Sequence, residues 1–216
     1  MSRIVILGGT GYAGSHIAKE AVRRGHQVVP VSRNAPTVEL AGVEYRTGDV
    51  RDETLLREVI EGADVVVSAL SPRGDMAPAG TLRDNARTVA RIAREQGARL
   101  GVVGGAGSLL VAEGGPKLMD TPEFPEEYKD EPREMERVLE ALREEGGGLD
   151  WFFVSPAGGF GAFAPGEARG TYRTGGDVLL TDEEGQSFIS GADFALAFVD
   201  EIETPAHRGE RFTVAY

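Results

Sequence analysis

Seven residues near the start of the chain, Gly8-Gly9-Thr10-Gly11-Tyr12-Ala13-Gly14, constrain its fold more than any others. They follow an apolar β-branched run, Ile4-Val5-Ile6-Leu7. They lead into a stretch whose apolar residues Ile17, Ala18, Ala21 and Val22 recur at helical spacing, with Gly25 placed to end it. Strand, glycine turn and helix in that order define a βα unit. Glycine permits the tight turn and the close approach of another backbone or a ligand. The helix start then offers unpaired N–H groups and a partial positive charge, which suit a pyrophosphate. Gly9, Gly11 and Gly14 also satisfy the spacing G-x-G-x-x-G, which in this context signals dinucleotide binding.

The alternation continues along the chain. Runs at Val28 to Val31, Val43 to Arg46, Val65 to Val67, Leu100 to Val103 and Trp151 to Val154 read as strands. Leu82, Ala86, Val89, Ala90 and Ala93, and later Met135, Val138, Leu139 and Leu142, read as the buried faces of helices. Right-handed βαβ crossovers follow from that order, giving an α/β fold with a doubly wound parallel sheet of Rossmann type. The periodicity changes after Pro156. Residues 156–190 are rich in Gly, Pro and aromatics, with short candidate strands at Val178 to Leu180 and Ser187 to Ile189. A helix from Ala192 to Ile202 and a β-like Arg211 to Val214 close the chain. We read residues 1–216 as one domain in which 156–190 form a small substrate-covering region, because ligands of such sheets lie at the carboxyl ends of the strands.

Composition narrows the partners. Against 35 acids there are 23 Lys and Arg, a formal net charge of −12, which disfavours a nucleic-acid backbone as ligand. There is no cysteine, so disulfides, thiolate metal sites and cysteine nucleophiles are excluded. No apolar run approaches the roughly 18 residues of a membrane span, and no charged leader precedes the first strand, so a cytoplasmic protein without membrane attachment is expected. Nothing in the sequence fixes the number of subunits. Charge is uneven: Arg3, Lys19, Arg23, Arg24 and Arg33 face a single acid, Glu20, in the first 33 residues. That suggests either a local positive field for a small polyanion or a solvated helix face.

The strand ends carry the next signals. An acid near the end of the second strand would accept bonds from the ribose 2′-hydroxyl of NAD, but this strand ends in Ser32-Arg33-Asn34. Arg33 can instead make charge-assisted bonds to a 2′-phosphate, favouring NADP(H) over NAD(H), or it is a solvated surface arginine. After the third strand, Asp49 is placed to bond the adenine amino group and Val50 to pack on the ring, although Asp49 could equally cap the helix near Asp52. After the fourth, Ala69 and Leu70 are small enough or apolar enough to let the dinucleotide lie close. Gly104, ending the fifth, is placed beside the cofactor in the same way.

Taken together, the strings GGTGYAGSHI, VSRN, GDVRD, VVSALSP, VVGGAGSL, LDWFFVSPAGGF and RFTVAY resemble the atypical short-chain dehydrogenase/reductases. Within them the chain is similar to the NAD(P)H-binding, NmrA-like group described as NADH-flavin reductases, and more distantly to biliverdin reductase B. The similarity spans the chain, and DTPEFPEEY and GTYRTGGDVLLTDEEGQSFISGADFA are its more specific parts. It implies a cofactor site at Gly8 to Gly14, Arg33, Asp49, Ala69 and Leu70, with a substrate pocket on the segments after Gly104 and Pro156.

Acid/base chemistry is less clearly marked. Most short-chain dehydrogenases pair a Tyr with a Lys four residues on, whose charge lowers the phenol pKa. Tyr128 lies at a suitable distance beyond Ser108, but four residues on stands Pro132, which fits the first turn of a helix and leaves Tyr128 in a loop before it. Ser108 occupies the place of the superfamily's serine and would either bond a substrate carbonyl or merely begin the next segment. His16, His26 and His207 are assigned to structure or solvent. Phe160, Phe163 and Tyr172, after Pro156, are either core residues or aromatic walls for a planar acceptor. A strong cofactor site with a weak acid/base site suits hydride transfer to a flavin, quinone or similar small acceptor, where positioning supplies much of the catalysis. A redox-sensing NADP-binding module and an epimerase are the alternatives.

Overall fold

Each central strand splits its side chains between two cores, which is why the runs are apolar throughout. In the computed structural model, which describes all 216 residues, β1 (Arg3–Leu7) sends Val5 and Leu7 to one face and Ile4 and Ile6 to the other. The strands β4 (Val65–Ser68) and β6 (Trp151–Ser155) alternate likewise: Val66, Trp151 and Phe153 against Val65, Val67, Phe152 and Val154. Helices α2 (Glu53–Ile60), α3 (Thr81–Gln96) and α4 (Asp130–Glu145) cover the first face. The second is covered by α1 (Tyr12–Arg23) and α5 (Gly191–Glu203). A sheet covered on both faces by crossover helices has to be apolar on both.

With β2 (Gln27–Ser32), β3 (Arg46–Thr47), β5 (Arg99–Val103), β7 (Arg173–Gly175) and β8 (Glu210–Ala215), the sheet has the order β3-β2-β1-β4-β5-β6-β8-β7. All neighbours are parallel except β7 and β8. The chain reverses its direction of winding between β1 and β4, and the crevice above their carboxyl ends is where such sheets take ligands. The expected doubly wound α/β fold is therefore present.

Local chemistry sets the ends of the helices. Gly25, at φ +83°, donates to the Val22 carbonyl while His26 donates to Ala21, a Schellman closure of α1. Ser190 caps α5 by accepting from Asp193 N–H. For α3 the cap comes from another element: buried Glu134 of α4 accepts from Gly80 N–H at 2.9 Å and Arg83 N–H at 3.2 Å. Differences from the sequence reading lie at the margins. The third strand is shifted to Arg46–Thr47, because Gly42 at φ +76° turns the chain and only the end of β2 is there to pair with. The runs at Val178 to Leu180 and Ser187 to Ile189 make single bridges, to Leu110 and Gly159, rather than strands. β7 has no apolar alternation to announce it.

One charge cluster is sealed into the base of the sheet. Arg99 of β5 donates to the Glu201 carboxylate at 2.6 Å, to the carbonyls of Glu201 and His207, and to Asp150, with its guanidinium 4.3 Å from the Phe152 ring centroid. Burial alone would raise the Glu201 carboxyl, but hydrogen bonds from Arg99, His207 and Ala206 hold it below its ordinary value. Removing one partner of a buried pair strands the other charge. Glu201→Ala is expected to cost about 3 to 5 kcal/mol in urea unfolding at pH 7. Because the folded-state pKa is depressed, the stabilisation is complete above the unfolded carboxyl pKa and is lost as pH falls through the folded one. The stability gap between wild type and Glu201→Gln should therefore narrow between pH 6 and pH 3; a constant gap would contradict this origin.

Candidate functional site: a glycine cradle and an arginine-lined groove

The loop after β1 is held by contacts that only glycine allows. Gly8 sits at φ +80°, and a Cβ built on it would lie 2.6 Å from the Ala69 carbonyl oxygen. A Cβ on Gly9 would lie 2.5 Å from Pro30 Cβ, and one on Gly14 would lie 2.3 Å from the Gly8 carbonyl oxygen. The loop is thus wedged between the ends of β2 and β4, with the first turn of α1 pressed against it. Gly8 N–H is taken by Val31 and Gly11 N–H by Gly8. The N–H groups of Tyr12, Ala13 and Gly14 have no backbone acceptor, and no side chain caps the helix. Unpaired donors at the positive end of a helix dipole, with no Cβ in front of them, fit a pyrophosphate.

From this cradle a groove of about 240 Å³ runs over the ends of β2 and β3. It brings together Gly8, Thr10, Gly11, Arg33, Asp49, Val50, Ala69 and Leu70. It also contains Arg51, Arg73 and Asp75, which local reading of the second strand missed because they arrive from the turns after β3 and β4. Asp49 does not cap α2; Asp52 does, accepting from Thr54 N–H at 2.8 Å. Asp49 instead accepts from the Arg51 backbone and guanidinium, and those hydrogen bonds hold its carboxyl below the usual carboxylate range. Val50 is fixed through its carbonyl, which accepts from Asn85 Nδ2 at 2.7 Å. Arg33 pairs with Asp75 at 3.1 Å, so the fold supplies near the strand tip an acid that the strand itself lacks.

Of the two alternatives for the basic residues among the first 33, a local field at this site is not what the fold shows. Arg23 and Arg24, at the far end of α1, are spent on Glu20, Asp200 and Glu203. Arg3 donates to the carbonyls of Val59 and Glu61. Of that set only Arg33 lines the groove. A second cleft of about 250 Å³ lies between α3 and α4, but its Arg87 and Arg91 are paired with carboxylates and Arg94 with carbonyls, and it has no glycine cradle.

Beyond the cradle the residues named for chemistry separate. Ser108 is buried, and its hydroxyl accepts from Arg211 Nη1 at 2.8 Å; Arg211 is itself buried and paired with Asp177. Tyr128 is 63% exposed in a single 3-10 turn, Glu126–Tyr128, just before α4, and neighbouring Lys129 pairs with Glu126. Neither lines the groove, and no Tyr-Lys pair forms. A Cβ on Gly104 would lie 2.0 Å from Phe153 Cε1, so packing beneath it already requires glycine there. The histidines have structural contacts: His16 lies edge-on to Tyr12, His26 meets Glu203, and His207 bonds Glu201 and stacks on Phe212.

In the covering segment, Pro156 is buried directly after β6, and Phe160 sets its ring 5.4 Å from Tyr12 and 4.5 Å from Phe194. That contact lays the segment against the start of α1. Phe163 is 81% exposed. Tyr172 is no pocket wall: its hydroxyl donates to Asp200, which pairs with Arg24 beyond the far end of α1. The segment is pinned at its other end by buried Asp193, whose carboxylate accepts from Arg169 N–H, Gly170 N–H, Ser190 Oγ and the Tyr216 hydroxyl.

A fold and cradle of this kind define a dinucleotide-binding α/β protein. The chain belongs to the NAD(P)H-binding family, which matches residues 8–205, and its relatives fit the resemblance to the NmrA-like atypical short-chain dehydrogenase/reductases. Solved structures resemble it over its full length. A Burkholderia pseudomallei protein provisionally named an exported protein is 40% identical over all of both chains, with a TM-score of 0.87. A Streptococcus pneumoniae protein provisionally named an NADH-flavin reductase is 33% identical over 100% of this chain and 99% of its own, with a TM-score of 0.88. A Bacteroides thetaiotaomicron protein provisionally named an epimerase is 36% identical over 100% and 97%, with a TM-score of 0.87. No helix is long and apolar enough to cross a membrane.

Because the Gly14 Cβ would strike backbone rather than a flexible side chain, the cradle cannot yield locally. Gly14→Ala is expected to weaken NADPH and NADH alike by at least about tenfold in calorimetric titration, since both share the pyrophosphate. A loss confined to one of them would contradict the placement.

Proposed function

We propose that the chain is an NADPH-dependent oxidoreductase that passes hydride to a flavin, quinone or similar small acceptor, with flavin as substrate rather than resident group. The observation that carries this reading is the pairing of a complete dinucleotide cradle with an absent acid/base pair: Ser108 is committed to Arg211, and Tyr128 stands in solvent. Reduction of a ketone or epimerisation at carbon demands a proton donor or acceptor held against the reacting atom. A conjugated acceptor needs far less, since its reduced form takes its proton from water. The reduced nicotinamide supplies the hydride when bound. The chain's own contribution is to hold the pyrophosphate at Gly8 to Gly14, grip the adenosine half through Arg33, Asp49, Val50, Ala69 and Leu70, and exclude water with the segment carrying Pro156, Phe160 and Phe163.

NADP(H) is favoured over NAD(H) because the adenosine end of the groove presents Arg33, Arg51 and Arg73 against Asp49 and Asp75. The description of the S. pneumoniae relative supports reduction of a flavin, though it names NADH as the donor, and that of the B. thetaiotaomicron relative supports the epimerase alternative. Against the redox-sensor alternative stands the covering segment, which a bare nucleotide-binding module does not need. We place the protein in the cytoplasm, where NADPH is regenerated, with small molecules rather than nucleic acid or membrane as partners; fractionation tests this against the B. pseudomallei relative's description as exported.

Loss of a charge-assisted contact costs about 1.5 to 3 kcal/mol. Arg33→Ala is therefore expected to weaken NADPH by roughly tenfold or more and leave NADH nearly unchanged in calorimetry; equal losses would remove Arg33 from the phosphate site. Stopped-flow oxidation of bound NADPH by a flavin and quinone panel tests the activity. Tyr128→Phe should slow it by less than about tenfold, against roughly a hundredfold for an essential acid. Tight NADPH binding without turnover of any acceptor would favour the sensor.

A further inference from the structure

We infer that Asp75 is a cofactor-specificity residue: its carboxylate holds, as a built-in anion, the place between Arg33 and Arg51 that the 2′-phosphate of NADPH would take, and so narrows the preference for NADPH over NADH. This rests on the NADP(H) reading above. Asp75 Oδ2 lies 3.1 Å from Arg33 Nη1 and 3.6 Å from Arg51 Nη2, so two guanidinium groups converge on one oxygen. Guanidinium groups converging on an anionic oxygen are the arrangement that recognises phosphate. The three residues follow three different strands, β2, β3 and β4, and all line the groove that begins at the glycine cradle. The turn is shaped for the pairing. Gly74, at φ +58°, would place a Cβ 3.1 Å from Arg33 Nη1, so the guanidinium lies over a residue that has no side chain. Met76 is buried and anchors the turn from below.

The two cofactors meet this carboxylate with opposite sign. A 2′-phosphate repels Asp75 and must displace it from both arginines. A 2′-hydroxyl can donate to it and leave the pairing intact. The Arg33 and Asp75 side chains are 58% and 55% exposed, and an ion pair so well solvated is easily exchanged. Asp75 therefore tunes the preference without abolishing NADPH binding.

Asp75→Asn keeps the side chain's shape and removes its charge. Calorimetry on the full chain with NADPH, NADH, 2′,5′-ADP and ADP reads the effect without relying on turnover. NADPH and 2′,5′-ADP are expected to tighten by about three- to tenfold, and NADH and ADP, which share the free 2′-hydroxyl, to weaken by about twofold. Asp75→Glu, which restores the charge, should return the NADPH to NADH ratio toward wild type. An unchanged ratio in Asp75→Asn, with both cofactors still binding, overturns the role of Asp75 and leaves the NADP(H) reading standing. Failure of the wild-type chain to bind either nucleotide overturns both.

Discussion

The contact on which this structure turns is backbone against backbone, where the first turn of α1 meets the end of β1 with no Cβ between them. At Gly14 the space a methyl group would fill is taken by the Gly8 carbonyl oxygen, 2.3 Å from the ideal Cβ position. At Gly8 the corresponding space is taken by Ala69. These approaches draw the helix start down between the ends of β2 and β4, where the winding of the sheet reverses. The N–H groups of Tyr12, Ala13 and Gly14 are left without backbone acceptors beside the groove that Gly8, Thr10 and Gly11 line. Anion recognition here is a property of main chain, so it costs no side-chain ordering when a ligand arrives.

That contact was legible in the sequence because it depends on residue type at fixed offsets. The sheet was legible for a similar reason: strands buried on both faces read as continuous apolar runs, as Ile4 to Leu7 of β1, Val65 to Val67 of β4 and Trp151 to Val154 of β6 do. What escaped was whatever depends on partners far along the chain. The edge strand β3 has only Val31 and Ser32 to pair with, so its position follows the Gly42 turn and not its own apolar residues. Asp75 gives no local sign that it faces Arg33 across 42 positions. Ser108 stands where the superfamily's serine would, yet its partner is Arg211, 103 positions on, and only the fold shows that the hydroxyl is already committed.

The histidines and tyrosines make the same distinction in physical terms. His207 and Tyr172 carry chemistry-bearing groups, but each is aligned by a carboxylate of α5, Glu201 for one and Asp200 for the other. Burial and the Asp200 carboxylate push the Tyr172 hydroxyl up, away from any role as an acid at neutral pH. Such groups fasten α5 and the covering segment to the sheet. Their hydrogen bonds are satisfied within the fold, which is what separates them from Arg33 and Arg51, whose carboxylate partners lie in an open groove and can be exchanged.

Three kinds of structure are thus built side by side. The pyrophosphate cradle is rigid, buried in part and made of main chain, so a side-chain change in the groove leaves it standing. The groove beyond it is lined by exposed side chains from three strand ends, each replaceable without disturbing the core. The covering segment is a third kind: Asp193 and Tyr216 pin one end of it, and Phe160 rests on Tyr12 at the other. Between those anchors it carries Phe163, 81% exposed, and Gly161 and Gly166 at positive φ. In the proposed function, such a site would change its acceptor by altering the segment between the anchors, while the cradle and the sheet beneath it keep their geometry. Hydride transfer to conjugated acceptors tolerates that variation, because it asks the protein for position and exclusion of water more than for a proton donor at one fixed atom.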